Sequence, residues 1–199
     1  METDSSDSQT QLDLNDILIA EFQYIAQTAF QANEDRARVS NFYFVTLAAA
    51  LAAIIGTKIE GTSTVGVYLG FSVMFAVLSA VGLITLLQLA RLRTAWAESA
   101  RAMNIIKQYY VERFQDLKPE KAFAWNLDTI PPLNKQKSVA FLLALSIMIV
   151  DAATTAAATI YLSLTLGASP MDQTWLLIAI VAGAIYFIVQ YVWYMNWLS

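Results

Sequence analysis

One carboxylate lies within an otherwise apolar stretch of this sequence and is its clearest candidate for chemistry. Asp151 follows a long apolar run and opens the segment DAATTAAAT, which contains the hydroxyls of Thr154 and Thr155. A carboxylate at mid-bilayer costs about 2.5–3.5 kcal/mol, so it should face a protein interior or water. It must be protonated, solvated through a cavity, hydrogen-bonded by neutral groups or paired with a cation. The three residues form a candidate intramembrane polar site.

Two roles are open for this site. A neutral, hydrogen-bonded Asp151 can lock helix packing or oligomer contacts, and the small residue Ala158 on the same face permits close helix approach. Alternatively, Asp151 lines a proton or cation path, and a symmetric oligomer would form an acidic ring that favours cations. Gly66 and Gly70 make a GxxxG pair and form a second candidate packing face.

The sequence contains neither Cys nor His. Metal sites built on thiolate or imidazole are excluded, as are disulfides, Cys nucleophiles and Ser-His-Asp triads. No catalytic residue, cofactor site or metal site is predicted, so we do not expect an enzyme. The net charge of −4 arises mainly near the N-terminus, and no nucleic-acid binding is expected.

Asp151 lies in the third of four long apolar segments, each of which is a candidate transmembrane helix. Of the 199 residues 57% are hydrophobic and only 14% charged, against about 25% charged residues in soluble domains. A bilayer core of about 30 Å needs roughly 20 apolar helical residues, and only helices satisfy their own backbone in lipid. The candidate spans are residues 41–57, 65–90, 138–166 and 174–198. This pattern predicts an all-α membrane protein with four transmembrane helices.

The connectors predict the topology. Spans one and two are joined by a short segment, as are spans three and four, so residues 41–90 and 138–198 form two transmembrane hairpins. Eleven of the twelve Lys and Arg residues lie before the first span or within residues 91–137, and only Lys58 lies on the other side. The positive-inside rule then places both termini and the connector in the cytoplasm, with the hairpins in the same sense in a plasma (inner) membrane.

The cytoplasmic parts are predicted to be largely helical. Residues 1–11 form an acidic, disordered tail, and residues 12–40 form an amphipathic helix that runs into the first span without Gly or Pro. The connector, residues 91–137, begins as a continuation of the second span and ends its helix near Pro119. The apolar stripes of these stalks either pack on each other, assemble subunits or dock a cytoplasmic protein partner.

Polar and aromatic residues also occur at the ends of the spans. Phe42, Tyr43 and Phe44 begin the first span, and Trp193, Tyr194 and Trp197 end the last. This distribution is typical of an interfacial aromatic belt, so we interpret these side chains as anchors. Gln190 and Asn196 are predicted to bridge helices near the cytoplasmic face.

The first half of the chain resembles a known arrangement. A helix with an Arg-rich end (NEDRARVSNFYF) enters a tight two-span hairpin, and a cytoplasmic helix (RLRTAWAESARAMNIIKQYYVERF) follows. This layout, over residues 12–115, is similar to the SLATT group of small bacterial membrane proteins, which are regarded as predicted pore-forming effectors of nucleotide-signal-linked defence. The second hairpin departs from that two-span plan, and the resemblance identifies no site residues.

Two functional hypotheses follow. The chain is an oligomeric channel or membrane-disrupting effector in the bilayer, for which Asp151 and the resemblance argue. Alternatively, it is a non-catalytic structural or accessory membrane subunit whose helical stalks dock a cytoplasmic partner. We expect the chain to assemble as a homo-oligomer in the lipid bilayer.

Overall fold

The computed structural model describes residues 3–56, 64–113, 130–169 and 172–199, with the backbone alone for residues 3–14. These residues contain four helices and no strand: α1 (Thr3–Gly56), α2 (Thr64–Arg113), α3 (Val139–Thr165) and α4 (Gln173–Trp197). All four are long and apolar enough to cross a membrane. The all-α fold is therefore confirmed, and the composition of the helices indicates a multi-pass membrane protein.

The first two helices are much longer than a bilayer requires. α1 and α2 contain 54 and 50 residues, whereas roughly 20 helical residues cross a hydrocarbon core of about 30 Å. α1 remains unbroken because no Gly or Pro precedes its last residue, Gly56. Lys58 and the predicted end of the connector helix near Pro119 lie outside the described residues.

The start of α1 differs from the expectation for the N-terminal tail. A disordered segment over residues 1–11 is expected from composition, whereas the helix begins at Thr3. The segment lacks Gly and Pro, and its acidic residues suit the positive end of the helix dipole.

The ends of α3 and α4 follow from local capping. The Ser138 hydroxyl accepts a hydrogen bond from the Phe141 N–H at 3.2 Å, and the Asp172 carboxylate accepts one from the Thr174 N–H at 2.9 Å. Both residues are therefore N-caps, which satisfy otherwise unpaired helix donors. α3 ends at Thr165, and Gly167, two residues further on, has a φ of 88° in the left-handed region that favours glycine.

The chain divides into two compact units. Unit 1 comprises Met1–Asp35 and Leu92–Leu133, and unit 2 comprises Arg36–Arg91 and Asn134–Ser199. Within unit 1, the Tyr110 hydroxyl donates to Asn15 Oδ1 at 2.5 Å, and Lys107 Nζ lies 6.0 Å from the centre of the Phe22 ring. These contacts show that α1 and α2 pack on each other within unit 1.

Unit 2 contains the apolar helices and the polar site. Ser72 on α2 donates to the carbonyl of Ala158 on α3, whereas Ser79 lies beside Asp151, so the two helices run antiparallel. α4 approaches α3 closely at Gly183, where a Cβ atom would lie 2.7 Å from the carbonyl oxygen of Ala152. The absence of a side chain at this position permits that approach.

Gly183→Ala should destabilise unit 2, because the new methyl group would push α4 away from the α3 backbone. Overpacking of this kind costs about 1–3 kcal/mol. Gly70→Ala is the matched control, because a Cβ at position 70 meets nothing within 4 Å. Thermal unfolding in the same detergent should show a lower midpoint for Gly183→Ala alone. Equal midpoints would contradict the close contact.

Candidate functional site

Asp151 lies at the middle of α3, as the thirteenth residue (151 − 139 + 1) of a helix of 27, and is 0% exposed. Each of its carboxylate oxygens accepts one hydrogen bond. The Tyr43 hydroxyl donates to Oδ1 at 2.6 Å, and Gln190 Nε2 donates to Oδ2 at 2.7 Å. The two donors belong to α1 and α4 and are themselves buried. The carboxylate thus links three helices.

The second helix contributes space to this site. A Cβ atom placed on Gly82 of α2 would overlap the carboxylate of Asp151. Only glycine leaves room there, because every other residue brings a Cβ into the volume that the carboxylate fills. Gly82 therefore allows α2 to pack directly against the one acidic side chain of α3.

Hydroxyl groups extend the site along the contact between α2 and α3. Ser79 Oγ lies 3.0 Å from Thr154 Oγ1 and 2.6 Å from Thr155 Oγ1. It also lies 3.2 Å from the backbone oxygen of Asp151, and the Tyr186 hydroxyl of α4 donates to the backbone oxygen of Ser79 at 3.3 Å. We name the whole group the Asp151 cluster, which consists of Tyr43, Ser79, Gly82, Asp151, Thr154, Thr155, Tyr186 and Gln190.

The geometry of the cluster favours one of the environments that the sequence leaves open for Asp151. Neutral donors from two other helices hydrogen-bond both carboxylate oxygens, and the side chain has no exposed surface. Buried polar groups without partners are costly in lipid, so these bonds offset the burial of the carboxylate. Among the described residues, no group of three or more acidic residues is placed to hold a metal ion. The arrangement suits helix packing.

The predicted site residues have different surroundings. Asp151, Thr154 and Thr155 all belong to the cluster, and the carbonyl oxygen of Ala158 accepts the hydrogen bond from Ser72 at 2.9 Å. Gly66 and Gly70 instead are exposed, and a Cβ on Gly70 would contact nothing. Gly70 therefore marks no close helix contact within the described chain, and a packing role of the GxxxG pair stays a prediction.

Tyr43 and Gln190 are the partners that the sequence does not assign to Asp151. Tyr43 is interpreted above as an interfacial anchor, but it is 0% exposed and lies level with the middle of α3. Gln190 does bridge two helices, through its hydrogen bond to the carboxylate of Asp151. The available signal is that a lone Gln and a lone Asp in apolar helices each need a polar partner.

No family model matches the chain, and no curated protein or solved structure matches it. The resemblance to the SLATT group therefore stays a prediction from the layout of the first half.

Tyr43→Phe removes one donor from the carboxylate and leaves the ring in place. We expect a loss of about 0.6–1.7 kcal/mol in stability, since hydrogen bonds between membrane helices contribute on average about 0.6 and at most about 1.7 kcal/mol. Tyr161→Phe is the control, because its ring packs against Phe71 and Phe75. Thermal unfolding in detergent would measure both variants, and equal stability would argue against the bond.

Asp151→Asn should be tolerated far better than Asp151→Ala. Gln190 Oε1 is buried without a hydrogen-bond partner among the described residues, so a rotated Gln190 amide can accept from the new Asn amide. Asp151→Ala leaves the donors of Tyr43 and Gln190 buried and unpaired, at about 1–3 kcal/mol each. Unfolding midpoints should fall in the order wild type, Asn, Ala. An Asn variant as unstable as the Ala variant would show that the carboxylate itself is required.

Proposed function

We propose that the chain is a non-catalytic, multi-pass membrane protein that binds a partner protein through unit 1. Unit 2 anchors it in the bilayer, with the Asp151 cluster as the lock between its helices. In this proposal unit 1, both termini and the connector are cytoplasmic, as the basic bias predicts, and the membrane is the plasma (inner) membrane.

The observation that carries the proposal is an exposed apolar stripe on α1 within unit 1. Ile17 and Tyr24 are 64% and 67% exposed. They are seven residues apart and share one side of the helix, with the exposed Glu21 between them. We name Ile17, Glu21 and Tyr24 the docking stripe. Large apolar side chains in this arrangement are typical of a surface that receives another helix.

The charge of this region supports a partner of opposite sign. Residues 1–35 contain no Lys or Arg but eight acidic residues: Glu2, Asp4, Asp7, Asp13, Asp16, Glu21, Glu34 and Asp35. Complementary charge steers association and selects the partner. We therefore infer that the partner presents a basic amphipathic helix. The acidic charge would also keep the stripe away from anionic lipid headgroups.

The position of Asp151 weighs against the alternative of a channel lined by this residue. Its carboxylate is enclosed within one copy of the chain and bonded by Tyr43 and Gln190. A ring of Asp151 side chains around a pore would require these contacts to break and unit 2 to repack. An anchoring role requires no such change, and it accounts for every hydrogen bond of the carboxylate.

Replacing Ile17 and Tyr24 together by Ser should abolish partner binding, because it removes the apolar contact area of the stripe. A photocrosslinking residue at position 20, an exposed neighbour of the stripe, would capture the partner in cells that make the full chain. We expect capture to fall at least tenfold, which corresponds to about 1.4 kcal/mol. Glu21→Lys should reduce it as well, through repulsion of a basic partner.

The matched control replaces Ile19 and Phe30 by Ser. These residues are 45% and 63% exposed on the same helix but lie on its opposite side from Ile17. Capture should survive this change. Equal loss in both double variants, or no effect of Glu21→Lys, would contradict a stripe that recognises a basic helix.

A further inference from the structure

A cleft beside the Asp151 cluster combines apolar walls with a cation and an amide. It has a volume of about 360 Å³ and is lined by Arg38, Val39 and Phe42 of α1 and by Val81, Ile84, Thr85 and Gln88 of α2. All of these residues belong to unit 2. No part of the proposed partner-binding function uses this cleft.

The polar and apolar ends of the cleft are ordered along the helices. Tyr43 and Gly82 both lie against Asp151 and so mark the same level. On α1 the cleft runs from Phe42 back to Arg38, and on α2 it runs forward to Gln88. Because one cleft contains both segments, Arg38 and Gln88 lie on the same side of the cluster. The apolar end is therefore near the middle of α3 and the polar end is farther out.

The position of Arg38 along α1 indicates what the polar end of the cleft meets. Arg38 lies five residues before Tyr43, which is about 8 Å of helix, and just before the apolar run that begins at residue 41. Arg38 is exposed, and a long Arg side chain beside an apolar segment can lay its alkyl stem along apolar surface and place its guanidinium at the headgroup level. A guanidinium binds phosphate, as it binds carboxylate, through two parallel hydrogen bonds, and the Gln88 amide adds a further donor.

We propose that this cleft binds an anionic phospholipid. The phosphate lies at Arg38 and Gln88, and an acyl chain lies against Phe42, Val81 and Ile84. Basic pockets between membrane helices on the cytoplasmic side are suited to anionic headgroups. The apolar wall favours a phospholipid over free phosphate, because inorganic phosphate has no acyl chain to place against it.

Native mass spectrometry of the full chain in detergent tests the proposal with phosphatidylglycerol and phosphatidylcholine of identical acyl chains. We expect saturable retention of phosphatidylglycerol over phosphatidylcholine, and a roughly fivefold loss of that preference in Arg38→Gln, from the removal of one cation. Arg38→Lys keeps the charge and should keep most of the preference. Ile84→Trp fills the apolar end and should reduce the retention of both lipids.

Arg91→Gln is the matched control, since Arg91 is exposed in unit 2 and does not line the cleft. Its lipid preference should equal that of the unaltered chain. Equal retention of the two lipids, or equal losses in Arg38→Gln and Arg91→Gln, would overturn the proposal. Displacement of phosphatidylglycerol by excess inorganic phosphate would also overturn it, by showing a site for the free anion.

Discussion

The buried carboxylate of Asp151 constrains how the helices of unit 2 pack. In lipid, apolar side chains gain little by touching one another, because the acyl chains that they displace are equally apolar. A carboxylate is different, since it needs donors at hydrogen-bond distance. Tyr43 and Gln190 provide them at 2.6 and 2.7 Å, and Gly82 leaves the necessary volume. A one-residue rotation of any of these helices by about 100° would turn the required group away.

The sequence predicts the helices well and the pairing poorly, for physical reasons. Helix existence depends on local composition, and the caps at Ser138 and Asp172 lie where the apolar segments begin. The bond from Tyr43 to Asp151 instead joins residues 108 positions apart, so no local spacing reveals it. A Tyr near a span end is usually an interfacial anchor, and only its hydrogen-bond partner shows that Tyr43 is a buried donor instead. Likewise, Gly66 and Gly70 match a sequence motif, whereas Gly82 is needed because the Asp151 carboxylate fills the space beside it.

Exposed apolar side chains have a different free-energy cost in the two units. In unit 2 the outer surface is rich in side chains such as Ile180 and Ile188, while Asp, Ser, Thr and Gln lie inside. Lipid solvates such a surface without cost. If the acidic N-terminal segment faces water, as proposed, the exposed Ile17 and Tyr24 are unfavourable until another surface covers them. Exposure alone is therefore uninformative, and the surrounding charge decides whether an apolar residue indicates lipid or a protein partner.

Membrane insertion and helix arrangement thus depend on different residues. Insertion follows from the many apolar side chains of each helix, whose summed transfer free energy far exceeds that of any single hydrogen bond. Arrangement follows from a few polar contacts, each of about 1 kcal/mol. α1 shows the distinction best, since its apolar part is the least enclosed of the four helices and Tyr43 is its bond to the carboxylate. Without that bond, α1 would stay in the bilayer, but its register against the other helices would no longer be fixed. Arg38 and Gln88 would then no longer be held at the same level of the cleft.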